Sequence, residues 1–117
     1  MSIQRNHTSP RMSQTVVHGS TVYLAGQVAL RAPGASAADQ TRDILARIDE
    51  LLGEVGSDKS KALAATIWLT DMGDFAEMNE VWDAWVDPEN APARACVQSP
   101  ALAAPQFTVE IMLTAAV

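Results

Sequence analysis

Hydrophobic residues recur along this chain with two periods, and the switches between them mark out its elements. Val22, Leu24, Gly26 and Val28 alternate with Tyr23, Ala25 and Gln27, which predicts a strand with one face toward a core. Val16 and Val17 predict a preceding strand, joined through Gly19-Ser20, because glycine accepts the positive φ of a tight turn. Pro33-Gly34 ends the run. From about Ser36 to Val55 the period lengthens to 3.6: Ile44, Leu45, Ile48, Leu51, Leu52 and Val55 form one helical stripe. Ser36 with Asp39 makes a capping arrangement at its start, and Gly56 a stop. Alternation returns from Leu63 to Thr70, with Leu63, Ala65, Ile67 and Leu69 on one face. Asp74 then caps a second helix whose inward stripe is Phe75, Met78, Trp82 and Trp85, ended by Pro88 and Pro92. Arg94, Cys96 and Gln98 alternate with Ala95 and Val97. After a proline-bearing loop, Phe107, Val109, Ile111 and Leu113 oppose Thr108, Glu110, Met112 and Thr114 in a final strand.

The order is ββαβαββ, an α+β domain with a mixed sheet and two helices on one face. Residues 1–11 are polar and read as a loosely ordered N-terminal arm of a single domain spanning 1–117. The sheet face away from the helices carries Tyr23, Thr66, Trp68, Arg94, Cys96, Glu110 and Met112. That mixture is too apolar for bulk water, so a subunit interface is expected.

Composition narrows the function classes. A chain of 117 residues, 48% hydrophobic, suits one core. A formal charge of −6 argues against a broad nucleic-acid surface. No apolar run reaches membrane-span length, and the N-terminus lacks a signal-peptide core. The single cysteine, Cys96, rules out an internal disulfide and fits a reducing cytoplasm. His7 and His18 fall in different segments without ligand spacing, so no metal and no cofactor is expected. Phosphate-cradling glycine loops and nucleophile elbows are missing from the sequence.

Two charged residues stand out on the C-terminal strands. Arg94 and Glu110 could form a cross-strand ion pair on a solvated face. Alternatively, Arg94 is a guanidinium fork for a substrate carboxylate, beside a Glu110 that handles water or protons. Spacing alone does not choose between them. Cys96 is either a thiol assisted by Arg94 or a small, partly buried strand residue. Trp68, opposite Ile67 and Leu69, packs at an interface or lines a pocket.

Four ordered segments carry a family resemblance over roughly residues 12–117. They are Tyr23-Leu24-Ala25-Gly26-Gln27, Leu69 to Phe75 with Met78-Asn79, Ala91 to Val97, and Val109-Glu110-Ile111. Together they resemble the Rid family of reactive-intermediate deaminases. The resemblance implies a chorismate-mutase-like fold assembled as a homotrimer, with sites in the clefts between subunits. It implies hydrolysis of 2-aminoacrylate-like enamines and imines, small carboxylates, to 2-keto acids and ammonia. It implies that Arg94 holds the substrate carboxylate, that the Cys96 carbonyl helps position water, and that Glu110 orients or activates that water. Tyr23 and Trp68 join Met12 and Ala25 as substrate-binding candidates. Met12 and Ala25 stand where the family has a site tyrosine and a site serine, and Met112 replaces a second glutamate. The carboxylate anchor is kept while part of the polar lining is lost. An RNA-cleaving activity, sometimes attached to the family, fits the acidic chain poorly.

Overall fold

The computed structural model describes residues 2–117. Its elements are β1 (Ile3–Thr8), β2 (Ser13–His18), β3 (Thr21–Leu24), β4 (Gln27–Val28), α1 (Ala37–Glu54), β5 (Ala62–Leu69), α2 (Phe75–Trp85), β6 (Ala93–Gln98) and β7 (Val109–Ala116). The strands form one mixed sheet in the order β1-β2-β3-β7-β5-β6, with β4 also on β7. Only the β5–β6 pair is parallel, as expected for strands joined by a helical crossover. Both helices cover one face.

The helical stripe of α1 supplies the core. Ile44, Leu45, Ile48, Leu51 and Leu52 are all buried, and they join Ile67 and Leu69 of β5 with Val109, Ile111 and Leu113 of β7 in one cluster. Ser36 caps α1 by accepting from the Asp39 N–H at 3.2 Å, and Gly56 leaves it at φ +76°.

Several expectations need correcting. Residues 3–8 are not a loose arm: β1 pairs antiparallel with β2 from Ile3↔His18 to Thr8↔Ser13. His7 also reaches Glu54 of α1 at 2.6 Å. This edge strand is held by backbone ladder bonds and buries none of its side chains. In β5, a bulge between Ala62 and Ala64 turns Leu63 out to 51% exposure and puts Ala62 in the core instead. Between β3 and β4 the register against β7 slips by one residue. Gln27 therefore falls on the helix side with Ile111, and Val28 on the open side with Glu110. Asp74 makes no capping bond. Asp71 does that work one turn earlier, accepting from Gly73 N–H at 2.8 Å in a short 3-10 turn before α2.

Candidate functional site

Arg94 lies near the start of β6, at the sheet edge. It is in register with Ala65, as Cys96 is with Ile67 and Gln98 with Leu69. Those three β5 residues are buried under the helices, so Arg94, Cys96 and Gln98 face the helix side. This corrects the expectation that Arg94 and Cys96 share the open face with Glu110. The outward members of β6 are Ala95 and Val97.

The Arg94 guanidinium is exposed but not loose. Its Nη1 donates to Asn79 Oδ1 at 2.8 Å. Its central carbon stands 5.3 Å from the Trp82 ring centroid and 5.9 Å from that of Phe75. Positions 75, 79 and 82 share one face of α2 because helical residues three or four apart are neighbours. Phe75 consequently sits at the rim, 37% exposed, while Met78 and Trp82 are buried as the stripe predicts. Phe75 belongs to the expected inward stripe and Asn79 to one of the resembling segments, but neither reading joined them to Arg94. Among the described residues the ion pairs are Arg31–Glu50, Arg42–Asp39 and Arg47–Glu50, beside the His7–Glu54 contact. Arg94 belongs to none of them, so the cross-strand pair with Glu110 is not formed.

Cys96 is half-buried against the core. Burial pushes its thiol pKa up, and the Arg94 charge pulls it down by less. The thiol form is favoured, as in an ordinary packed cysteine.

Glu110 opens β7 between β4 and β5, in register with Val28 and Trp68. It faces the open side, half-buried, and burial raises its carboxyl pKa. No side-chain hydrogen bond or ion pair engages it among the described residues. Its carboxylate lies over Gly26: a Cβ built there would stand 3.1 Å from Glu110 Cδ and closer still to Oε2. Glycine is thus what lets the carboxylate lie this close to the backbone. Gly26→Ala is expected to leave the melting temperature nearly unchanged, because the flexible carboxylate end can yield. The carboxylate should be displaced, which the imine hydrolysis implied by the resemblance would register as a lower rate, and paired melting and kinetic measurements check both.

The open face continues through registered neighbours. Trp68 lies beside Glu110 and Val97, Met112 beside Thr66, and Tyr23 beside Thr114 and Val16. Tyr23, Val97 and Met112 are 50, 46 and 40% exposed. Ala25 sits at the margin, its N–H bonded to the Gln14 carbonyl, and Met12 is exposed at the β1–β2 turn. The structure therefore gathers Tyr23, Trp68 and Glu110 on one face, with Ala25 beside them, and puts Arg94 and Cys96 on the other. A groove of about 620 Å³ between α1 and α2 is lined by neither Arg94 nor Glu110. Among the described residues no three histidine, cysteine or carboxylate side chains converge as metal ligands.

This arrangement has close counterparts. The family described as Endoribonuclease L-PSP matches residues 3–117. A RutC family protein of Haemophilus influenzae is 44% identical over 115 residues, covering 98% of each chain. The RutC family protein YoaB of Escherichia coli is 44% identical over the full length of both chains. The chain belongs to the Rid (YjgF/L-PSP) family. A crystal structure of a YjgF-family member from Neisseria meningitidis superposes with TM-score 0.94 at 49% identity, covering 99% of this chain and 95% of that one. The Rid fold, chorismate-mutase-like with two helices on a mixed sheet, is thus shared. No helix among the described residues is long and apolar enough to cross a membrane.

Proposed function

We propose that this Rid protein hydrolyses reactive enamine and imine intermediates of the 2-aminoacrylate class to 2-keto acids and ammonia. Family membership supports imine or enamine deamination, or a related activity, as the general role. The observation that carries the specific reading is the setting of Arg94. A guanidinium held by a neutral amide and two aromatic faces keeps its charge uncompensated. Its remaining donors can form the fork that a substrate carboxylate requires.

The chemistry asks little of the rest of the site. A 2-imino acid, protonated on nitrogen, has an electrophilic carbon that water attacks without a metal or a strong nucleophile. Glu110, with its raised pKa, accepts the proton of the attacking water. It then returns that proton to the nitrogen of the carbinolamine; as ammonia leaves, the carboxylate takes the remaining hydroxyl proton and passes it to the ammonia, giving the keto acid and ammonium. The sum is iminium plus water giving ketone plus ammonium. Orientation supplies most of the acceleration.

Arg94 and Glu110 occupy opposite faces of one sheet, so one chain cannot bring both to a single substrate. A second copy laid against the open face can. The site is therefore built from Arg94 of one subunit and Glu110 of its neighbour in a homotrimer whose interface covers Tyr23, Val97 and Met112. Sedimentation at micromolar concentration should give three times the 12.5 kDa chain mass; a monomer would remove the basis for this site.

An RNA substrate is opposed by charge. Every acidic residue except Glu110 falls between positions 39 and 89, and the −6 of each chain is tripled in the assembly. The test of the function is 2-aminoacrylate generated in situ, with keto acid and ammonia followed together. Acceleration over spontaneous decay is expected; saturable carboxylate binding without acceleration would make the protein a binder instead.

A further inference from the structure

Gln27 is almost wholly buried, at 4% exposure, and the proposed reaction does not use it. Its amide nitrogen donates twice, to Gln14 Oε1 at 2.8 Å and to the Ala25 carbonyl at 3.0 Å. One proton of the amide is spent on the break between β3 and β4, at Ala25, and the other on Gln14 of β2 beside it. From Leu24 to Gly26 no residue pairs with β7, and Gly26 has the least backbone restriction of any residue type. Toward β2, Leu24 still pairs with Thr15, and beyond it the Ala25 N–H donates to the Gln14 carbonyl at 2.9 Å. A segment so weakly laddered needs another restraint if its backbone is to keep one position.

That position matters because of what lies on the other side. Gln27, in register with buried Ile111, ties the break through its amide to the Ala25 carbonyl and to Gln14. On the open side, the Glu110 carboxylate rests against Gly26 close enough that a Cβ there would displace it. We infer that Gln27 is a positioning residue for Glu110, acting through the backbone of Ala25 and Gly26. The amide fixes the peptide, and the peptide forms the surface on which the carboxylate lies. The groups in register with Glu110 are Val28 and Trp68, both uncharged, so packing rather than pairing sets the carboxylate's place within the chain. Burial, the cause of its raised pKa, depends on the same surface.

The kinetic arm of the test rests on the deaminase reading, and the spectroscopic arm does not. Gln27→Met keeps the volume and removes both donated bonds. Gln14→Leu removes one acceptor and leaves the Ala25 bond, which gives a milder variant should Gln27→Met fold poorly. Glutamate labelled with ¹³C at the side-chain carboxyl, with Glu110 assigned through Glu110→Gln, reports the Glu110 titration midpoint in the intact assembly. In Gln27→Met that midpoint should move away from its wild-type value as the carboxylate loses its place over Gly26. With imine substrate, kcat should fall at least about tenfold while KM stays within about threefold, because Arg94 and its cradle are untouched. Gln14→Leu should lie between wild type and Gln27→Met on both readouts. A midpoint shift in a protein without deaminase activity supports the positioning role while refuting the deaminase reading. An unmoved midpoint in both folded variants overturns the positioning role.

Discussion

Arg94→Ala should lower kcat/KM for 2-aminoacrylate-class imines at least about tenfold, a loss of about 1.4 kcal/mol of transition-state stabilisation. The fold should survive, since the side chain is exposed and joins no ion pair. The direction follows from where the charge sits. The guanidinium is oriented by Asn79 Oδ1 at 2.8 Å and by the rings of Trp82 and Phe75, so little freedom remains to be lost when a carboxylate binds. Arg94→Lys should suffer nearly as much. An ammonium is a point charge without the planar fork, and it cannot bond Asn79 and both carboxylate oxygens in the same geometry. Steady-state kinetics on both variants check this. Full activity in both would return Arg94 to a surface residue packed on α2.

Glu110→Gln should separate chemistry from binding. The amide keeps the shape over Gly26 but cannot accept a proton from water, so turnover should fall at least about tenfold. Affinity for a keto-acid product analogue should change little, because the carboxylate anchor is a different side chain on another strand. Calorimetric binding beside a turnover assay reads the two effects independently. Were Glu110 merely packing against Gly26 and Trp68, the glutamine variant would turn over at the wild-type rate. Among the described residues no ion pair with Arg94 exists for the substitution to release.

The parts of this molecule that follow a regular period were legible in its residues. The α1 stripe from Ile44 to Leu52 and the inward face of β7 at Val109, Ile111 and Leu113 are all buried as their spacing requires. Where single residues interrupt a period, the pattern misleads. The extra residue at Leu63 inverts the start of β5, and the slip between Leu24 and Gln27 exchanges the faces of Gln27 and Val28. Alternation carries no record of a bulge, because the residues on either side still alternate. Residues 3–8 escaped notice for another reason: an edge strand exposed on both sides has no hydrophobic face to announce it. The candidate site shows the same division. Motifs singled out Arg94 and Glu110, but assigned them one face. Their true placement depends on the parallel register of β6 on β5, a long-range pairing that local spacing does not encode. Asn79 and Gln27 lie in the segments that carry the resemblance, but the hydrogen bonds through which they act are not visible in type or period.

The placement on opposite faces makes the account's central claim directly measurable. Arg94→Ala and Glu110→Gln trimers, each nearly inactive, are dissociated, mixed in equal amounts and reassembled. If each site takes its arginine from one subunit and its glutamate from the next, random assembly restores both residues in about a quarter of the sites. The mixture should then recover about a quarter of the wild-type imine hydrolysis. Recovery no greater than the average of the two variants alone, in a mixture shown by mass to contain mixed trimers, would contradict a site shared between Arg94 and Glu110 of neighbouring chains.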